Sequence, residues 1–526
     1  MDGAAILKRF REAESLKTGW DAKIQRVVEY AIPERQTYNA PNDGQPRDIM
    51  ARIYDSTGIV AVDGFVSNMV SALVPPNKRW CRLATGVGIA PENRDQLLKQ
   101  LEGITDTMFA CLQISNFDTQ IASSFYDLAV GMGALHVGKG TKENPFQFTA
   151  IPASDIYPEE GPFGRIDTVF RKINMPIRNI LGTWDDANLP QSLKDALADD
   201  NGGKKVDLVE SCVKMEDGYE YSVVLIGDDS PLLVQRQMRS SPFIVFRWMT
   251  LPGMTMSYGP LMRAFPDIRT LNDVQLDLLM KASRDLKGLY MVNNNGVVNV
   301  DNIDFRQMQF IPVDSTGGPR GADIAPLPAA GDLNLAQFIF NERQAAIYKT
   351  LFAEPLGRID LPVKSATEIA YRQQELAKRT GPAFGKIQFE LLIPLVNRLL
   401  HILDELDLIS VPREFKVDGR IVGIQYMSPL AQAQDLDDFQ AAVQLYQLIG
   451  GLFGPQMAMM MTKPDKFVAY ASEKLHVPSD LVPTEAEFEQ AKQLLSQQAG
   501  QQAAAQQQAA SAPPPEQAMP PVGVAA

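Results

Sequence analysis

Hydrophobic residues recur at helical spacing through most of the first 130 positions of the chain. The pattern covers residues 4–33, 51–76 and 97–130, and the first two runs end at prolines. Apolar positions three and four residues apart form one stripe on a helix, and proline stops a helix because it lacks an N–H donor. This part of the chain is therefore predicted to be helical, with the DSTG sequence at 55–58 acting as a cap or turn.

The pattern changes to short β-type runs between about residues 134 and 250. The runs are ALHVGKG, FQFTAIPASDIYP, IDTVFRKINM, KVDLVESCVKM, YEYSVVLIG and PFIVFRWM, with turn residues between them. β-branched and aromatic residues fit the pleated, half-buried surface of a sheet. A mixed β region is predicted to follow the first helices.

A strong amphipathic helix is predicted over residues 267–287. Its apolar stripe consists of Leu271, Val274, Leu278 and Ala282. The sequence LYMVNNNGVVNV that follows is typical of a hairpin with an Asn-Gly turn. A second helix is predicted over 333–352, so the two helices should form an antiparallel pair around a small β module.

Loop residues at 353–364 precede a long helix. The sequence SATE is a capping box, in which the Ser365 hydroxyl accepts a backbone N–H and Glu368 reaches back to the start of the helix. Gly381 and Pro382 should interrupt this helix, and Pro394 should bend it again. A return strand is predicted within 414–427.

The C-terminal region is poor in apolar anchors. A second capping box, Thr484 to Glu487, begins an Ala/Gln-rich helix that is marginal alone and needs neighbours. The last residues are rich in Pro and Ala, a composition typical of disorder.

One stretch resembles a phosphate-binding loop. Residues 133–139 match G-x-x-x-x-G-K, but Gly140 stands where the Ser or Thr that holds Mg²⁺ is required. A working loop lies between a strand and a helix, whereas this stretch follows a helical pattern and precedes a strand pattern. Nucleotide binding and ATPase activity at 133–140 remain the alternative function.

The charge balance argues against broad DNA binding. The 526 residues include 50 Lys and Arg against 63 Asp and Glu, a net charge of −13, whereas gripping DNA requires clustered basic residues. The three cysteines and three histidines have no zinc spacing, so no metal site or other cofactor is expected. No nucleophile–base pair is evident, so no enzyme activity is expected. The N-terminus lacks a signal-peptide core, and the most apolar run (390–403) is too short to span a bilayer, so no membrane insertion is expected.

The chain resembles the portal, or head-to-tail connector, proteins of short-tailed, podovirus-type bacteriophages. The resemblance rests on IYDSTGIVAVDGFVSNMVSALVPPNKRWCRL (53–83), SYGPLMRAFPDIRTLNDVQLDLLMKASR (257–284) and SATEIAYRQQELAKRTGPAFGKIQFELLIPLVNRLL (365–400), in this order and spacing.

The resemblance implies an α+β, mainly helical, multi-domain portal fold that assembles into a closed ring of about twelve copies. The implied domains are an N-terminal wing (1–256), a first stem helix (257–288), a clip (289–331), a second stem helix (332–352), a channel loop (353–365), a long kinked wing helix with its return strand (366–429), a crown (430–482), a C-terminal barrel helix (483–511) and a disordered tail (512–526).

The implied function is a channel at one capsid vertex for genome packaging and ejection. Implied partners are double-stranded DNA, the terminase large subunit, major capsid and scaffolding proteins, tail adaptor and tail tube proteins, and internal core or ejection proteins. The ring is expected to nucleate procapsid assembly in the host cytoplasm and to remain in the virion.

Four basic residues are candidates for contacts with DNA in such a channel. Arg358 and Lys364 lie in the implied channel loop, and Lys281 and Arg284 lie on the first stem helix. Duplex DNA carries about one negative charge per 1.7 Å of axis, so an acidic wall with sparse basic residues would keep the duplex centred without holding it. Solvated surface charges or ion pairs between subunits are the other interpretation. A coiled-coil scaffold is disfavoured because Pro and Gly break the periodic stretches.

Overall fold

The structure is a computed structural model of the chain. It describes residues 1–35, 50–85, 94–198, 202–227, 229–287, 289–293, 309–313, 324–326, 333–354, 383–409, 422–426, 429–453, 467 and 470–471. The chain divides into two units, Met1–Leu430 and Ala431–Ala526.

Helix is the commonest secondary structure in the described part of the chain. The helices are α1 (Gly3–Ala31), α2 (Thr57–Leu73), α3 (Arg94–Ile114), α4 (Phe117–Val130), α5 (Ile180–Thr183), α6 (Gln191–Ala198), α7 (Pro260–Lys287), α8 (Leu333–Thr350), α9 (Ile393–Glu405) and α10 (Pro429–Phe453). A π-helical turn, Gln388–Leu392, directly precedes α9. The expected mixed, mainly helical fold class is confirmed, while ring assembly and the domain boundaries stay predictions.

Strands occupy the region where β-type runs were predicted, and a few lie outside it. They are β1 (Cys81–Thr85), β2 (Met132–Lys139), β3 (Phe146–Ala150), β4 (Ile156–Glu160), β5 (Ile166–Pro176), β6 (Lys205–Met215), β7 (Gly218–Leu225), β8 (Leu232–Met238), β9 (Phe243–Arg247), β10 (Leu289–Asn293), β11 (Gln309–Val313), β12 (Ile324–Pro326) and β13 (Val422–Tyr426).

A five-stranded antiparallel sheet in the order β4-β5-β6-β7-β8 carries helix α1 on one face. The apolar stripe of α1 meets buried side chains of four strands, and the ring centroids of Phe10 and Tyr157 lie 5.0 Å apart, edge to face. Burial of such a stripe supplies most of the stability of a surface helix. Sequence analysis did not identify β8, whose LLVQRQM sequence lacks a clear apolar alternation.

A three-stranded sheet in the order β3-β2-β9 contains the stretch that resembles a phosphate-binding loop. Helix α4 ends at Val130, and β2 is extended from Met132 to Lys139 with β3 and β9 paired to it. The backbone N–H groups of an extended strand serve its ladder and cannot form a phosphate cradle. A Cβ at Gly133 would meet the ring of Phe246, so this glycine serves packing. The expected strand context is confirmed, and the ATPase alternative is not supported.

Strand β1 pairs with β13 at the far end of the first unit, with Cys81 opposite Tyr426. The return strand predicted within 414–427 is confirmed for 422–426, and its pairing with β1 was not predicted. In the second unit, the rings of Tyr446 on α10 and Phe467 have centroids 4.1 Å apart. None of the helices in the described ranges is long and apolar enough to cross a membrane.

Candidate functional site

Helices α7 and α8 form a pair that the body of the first unit buries at one end. The buried residues of α7 all lie in its first half, ending at Leu271 and Asn272. On α8, burial is confined to the other end, at Ile347 and, just beyond it, Leu351 and Ala353. The helices are therefore packed into the body near residues 260–272 and 347–353, and this end of the pair is called the root.

At the root, α8 and the residues just after it pack against helix α2 and form hydrogen bonds with it. The side-chain amide of Asn68 donates a hydrogen bond of 2.8 Å to the carbonyl oxygen of Phe352. Ala353 packs directly on Gly64, where an added Cβ would lie 2.9 Å from the Ala353 Cβ. Gln344 donates a hydrogen bond of 3.3 Å to the hydroxyl of Thr57 at the start of α2. These contacts fix α8 along the length of α2.

Aromatic side chains show that the two helices are antiparallel. The ring of Trp248 packs at a tilt against that of Phe352, at the C-terminal end of α8, with centroids 5.7 Å apart. The backbone N–H of Trp248 also donates a hydrogen bond to the carbonyl oxygen of Gly131. The backbone N–H of Gly259, directly before α7, donates one to the carbonyl oxygen of Val130. The end of α8 and the beginning of α7 therefore lie together, as expected from the sequence. Helix α7 begins seven residues before the predicted position, at Pro260.

Polar contacts complete the root. Asp55 accepts hydrogen bonds of 3.0 Å from both the backbone N–H and the hydroxyl of Thr57. This confirms the turn role of DSTG, while the N-cap residue of α2, Ser56, forms no side-chain cap hydrogen bond. Asn272 accepts a hydrogen bond of 2.7 Å from the backbone N–H of Tyr54. Burial, assisted by the charge of Asp55, raises the pKa of Tyr348 on α8. Arg343 on α8 forms an ion pair of 2.8 Å with Asp267 on α7.

The other half of the helix pair leaves the body. From Asp273 to Leu286 no residue of α7 is buried, and the predicted apolar stripe ends with an exposed Ala282. The four residues lie on one face of α7 as predicted, and burial along that face falls from buried Leu271 through half-buried Val274 and Leu278 to exposed Ala282. Large apolar side chains are exposed here, including Leu286 at 88% and Phe338 at 66%.

A three-stranded module lies in the chain between the two helices. Strand β10 pairs in parallel with β11 and antiparallel with β12, in the order β11-β10-β12. The first strand of the predicted hairpin is confirmed as β10, whereas its predicted second strand, residues 297–300, lies outside the described residues. The Asn-Gly turn itself lies outside the described residues.

Of the four candidate DNA contacts, two lie on described residues. Lys281 is half-buried and Arg284 is exposed, and both lie in the half of α7 that leaves the body. Basic residues near a helix C-terminus also interact favourably with the helix dipole. The positions of Lys281 and Arg284 therefore fit a structural role as well as a contact with DNA. Arg358 and Lys364 lie outside the described residues, so the structure does not bring the four together.

The capping and kink residues are mostly outside the described ranges. Ser365, Glu368, Gly381, Pro382, Thr484 and Glu487 all lie there. Pro394 is the second residue of α9, the helix that begins directly after the π turn. A proline removes one helical hydrogen bond and crowds the preceding turn, and a π turn is a recognised site of helix bending.

Sequence analysis missed the most buried charged side chain among the described residues of the first unit, Arg247 at the end of β9. Its guanidinium donates to Glu390 of the π turn at 2.6 Å, to Glu160 of β4, and to the carbonyl oxygens of Thr255 and Gly164, each at 2.9 Å. The only signal was a single Arg inside the apolar run PFIVFRWM.

The pKa values around Arg247 follow from this burial. Burial alone disfavours the guanidinium charge, but the hydrogen bonds and charges of Glu390 and Glu160 raise the pKa of Arg247. Burial lowers the pKa of neighbouring Lys386, although Glu390 opposes the shift. The cluster joins two sheets to the π turn and is a structural joint. Within the described ranges, no group of three or more His, Cys, Asp or Glu side chains is arranged to hold a metal ion.

Comparison with known proteins gave matches along almost the whole chain. Residues 4–482 match the family described as "Bacteriophage head to tail connecting protein". The portal protein of Salmonella phage epsilon15 is 22% identical and aligns with 94% of this chain and 92% of its own length. The probable portal protein of Bordetella phage BPP-1 is also 22% identical, over 82% of this chain and 79% of its own.

Two solved structures have weaker similarity. A chain from the virion of a native gene transfer agent particle has a TM-score of 0.36 at 9% identity and covers 80% of this chain and 94% of that chain. A chain from the neck of an empty gene transfer agent particle has a TM-score of 0.34 at 13% identity, covering 85% and 98%. Neither score is high enough to carry an argument.

Proposed function

The chain belongs to the family of bacteriophage head to tail connecting proteins, and from this premise we propose how its α7–α8 pair serves a portal. Its function is that of a portal, the connector between the head and the tail of a phage virion. In the proposed assembly about twelve copies form a closed ring, with α7 and α8 lining a channel for double-stranded DNA. The portal itself has no catalytic activity and depends on a separate motor.

The observation that carries the proposal is the half-exposed helix pair. A helix that exposes apolar side chains on several faces is stable only when other surfaces cover them. Leu279, Met280, Leu286 and Phe338 lie beyond the root, where no described element of the same chain buries them. In a ring, the α7–α8 pair of the next copy covers these apolar side chains, and the same contact repeats at every interface between copies.

The strand module β10–β12 then lies at the end of the pair away from the root. In the proposed ring it forms the clip, which meets the terminase large subunit during packaging and tail adaptor or tail tube proteins afterwards. Major capsid and scaffolding proteins contact the outer body, and internal core or ejection proteins meet the crown. Assembly takes place in the host cytoplasm, and the ring nucleates the procapsid.

The proposed channel places Lys281 and Arg284 near the DNA, with Arg358 and Lys364 in the loop that follows α8. A mostly acidic wall repels the duplex towards the axis, and sparse basic residues guide it without holding it. This wall accounts for a DNA-conducting protein with a net charge of −13.

The first test is electron microscopy of the purified protein with its mass in solution. Rings of about a dozen copies with an open central hole are expected, and a chain that stays monomeric even with scaffold and capsid proteins present would overturn the ring.

The second test concerns DNA. In particles assembled with Lys281→Ala/Arg284→Ala or Arg358→Ala/Lys364→Ala, less DNA should be packaged or retained than in the parent. The matched control is Arg178→Ala/Lys194→Ala, which removes two exposed basic residues near α5 and α6. Equal DNA content in all variants would remove the four residues from the channel.

A further inference from the structure

Phe163 is the most exposed large apolar side chain in the described part of the chain. It lies in the turn between β4 and β5 and is 100% exposed. Its φ angle is +71°, in the left-handed region that a bulky residue rarely adopts. A fully exposed ring and an unfavourable backbone angle both cost free energy, and no described residue of the chain covers the ring.

The turn that holds Phe163 is nevertheless well fixed. The backbone N–H of Gly161 donates to the carbonyl oxygen of Arg165 at 2.8 Å, which closes the turn. The carbonyl oxygen of Gly164 accepts a hydrogen bond of 2.9 Å from buried Arg247. The guanidinium of Arg165 lies 4.1 Å from the ring centre of Phe389. The phenyl ring is therefore presented to solvent by a turn that is held on both sides.

The neighbouring turn, between β6 and β7, adds an acidic rim. Met215 and Glu216 line the same surface groove as Pro162, so the two turns lie side by side. Met215 is 48% exposed, and Glu216 and Asp217 are exposed without an ion-pair partner among the described residues. This end of the five-stranded sheet, called the knob, combines apolar side chains with unpaired negative charge.

A groove of about 830 Å³ lies on helix α1, at the opposite end of the same sheet. Leu16, which is 75% exposed, contributes apolar surface, while Leu7 at the base of the groove is only 4% exposed. Lys8 and Arg11 line the groove with exposed basic groups, alongside a single acid, Glu12. This groove, called the socket, is open to solvent along its length and has room for a phenyl ring.

Sheet topology separates the knob from the socket. Successive strands of the β4-β5-β6-β7-β8 sheet are antiparallel, so the β4–β5 and β6–β7 turns lie at one end and the β7–β8 turn at the other. The socket includes Gly227 and Ser230 of the β7–β8 turn. The two surfaces cannot meet within one chain. They can meet between two copies in a head-to-tail contact, the type of contact that closes into a ring.

We propose that Phe163 of one copy inserts into the groove formed by Leu7, Lys8, Arg11 and Leu16 of the next copy. The apolar groups of knob and socket face each other, and Glu216 and Asp217 approach Lys8 and Arg11. An aromatic anchor in a desolvated pocket is typical of the residues that dominate interface energies. The inference rests on the proposed ring and adds the contact that joins its copies.

Cross-linking tests the contact directly. Because Cys111 is the only half-exposed cysteine, the background variant is Cys111→Ser. Adding Phe163→Cys and Leu16→Cys should give, on oxidation of the assembled protein, a ladder of covalent multimers that reductant removes. The matched control pairs Phe163→Cys with Leu251→Cys, which is 51% exposed but lies outside the groove; it should give no ladder.

A glycine variant separates assembly from folding. Phe163→Gly removes the ring and suits the positive φ angle, so the melting temperature of the free chain should stay equal or rise. The concentration needed for half-assembly should rise at least about tenfold, the loss expected for a single interface anchor.

The outcomes distinguish the contact from the ring. Rings by electron microscopy without a ladder, or with unchanged assembly of Phe163→Gly, overturn the contact and leave the ring standing. A parent chain that never assembles, together with a Phe163→Cys/Leu16→Cys variant that never cross-links, overturns both. A ladder that includes another virion protein instead of multimers of this chain assigns Phe163 to that partner and overturns the proposal.

Discussion

The guanidinium of Arg247 and the carboxylate of Glu390 form a buried ion pair of 2.6 Å that ties strand β9 to the π turn before α9. The backbone N–H of Arg247 donates to the same carboxylate at 2.9 Å. The carboxylate of Glu390 therefore pairs with the charge of Arg247 and also accepts the backbone N–H at the end of β9, where the Arg247 side chain is 0% and the Glu390 side chain 8% exposed.

Removal of the Glu390 carboxylate should lower the free energy of unfolding substantially. Glu390→Ala leaves Arg247 with one carboxylate and two carbonyl partners, and breaking a buried pair costs about 3–5 kcal/mol. Chemical denaturation of the first unit measures the loss. The control is Asp186→Ala, which breaks the exposed Arg236–Asp186 pair and should cost less than about 1 kcal/mol. Equal losses would contradict the joint at Arg247.

Two helical glycines should respond to alanine with opposite signs. Gly64→Ala brings a Cβ to 2.9 Å from that of Ala353, and overpacking at the root should cost about 1–3 kcal/mol. Gly103 on α3 has open space around it, so Gly103→Ala should stabilise the protein by about 0.5–1 kcal/mol. Melting temperatures of the two variants measure the difference. A stabilising Gly64→Ala would show that α8 does not pack closely on α2.

Lys17 should make stability depend on pH. Its ammonium is buried and donates to the carbonyl oxygens of Ala153 at 2.6 Å and Ile156 at 3.0 Å, as well as to that of Ser154. Burial lowers the pKa of Lys17 to about 8 in spite of the opposing charges of nearby acids. The charged groups that face it are Asp21, Asp155, Glu14 and Arg35.

The sign of the pH dependence follows from that lowered pKa. Below pH 8, Lys17 is protonated in both the folded and the unfolded state. Between about pH 8 and 10.5 the unfolded state binds more protons, so the free energy of unfolding should rise by roughly 1.4 kcal/mol per pH unit. Comparison with Lys17→Met, from pH 7 to 9.5, isolates this contribution because the other groups are shared. If the free energy of unfolding changed with pH in the same way for the parent protein and Lys17→Met, the assigned contribution of Lys17 would be contradicted.

Nucleotide should not bind at 133–140. The extended backbone of β2 cannot cradle phosphate, and the Lys139 ammonium lies 3.4 Å from the carboxylate of Glu405. ATP with Mg²⁺ should not change the melting temperature of the parent protein, and it should not change that of Lys139→Ala. An ATP-dependent rise that Lys139→Ala abolishes would restore the alternative function.

Features encoded by local pattern were predictable from the sequence. Helices α7 and α8 follow from periodic apolar residues, and the β region from runs of β-branched and aromatic residues with turns between them. The secondary structure around Gly133 was also predictable, because a helical pattern before it and a strand pattern after it are the reverse of what a phosphate-binding loop requires. In each case the signal lies within a few residues of the element it specifies.

Features that depend on distant partners were not predictable. Strand β1 is a strand because β13, from the other end of the first unit, pairs with it. Arg247 is buried because Glu390 and Glu160 meet it from elements far away in the chain. Ala282 continues an apolar stripe in the sequence and is exposed in the structure, because the body ends before that turn. Tertiary contacts decide such positions, and a local window does not contain them.

The root of the α7–α8 pair also has a mechanical meaning. About fifteen residues of α7 extend beyond Asn272, which at 1.5 Å per residue makes a strut of roughly 22 Å. A load applied to the strand module at its far end acts on this lever arm and is resisted where Asn68, Gly64 and Thr57 hold α8. The stiffness of the pair under such a load therefore depends in part on α2, a helix that lies in an entirely different part of the sequence.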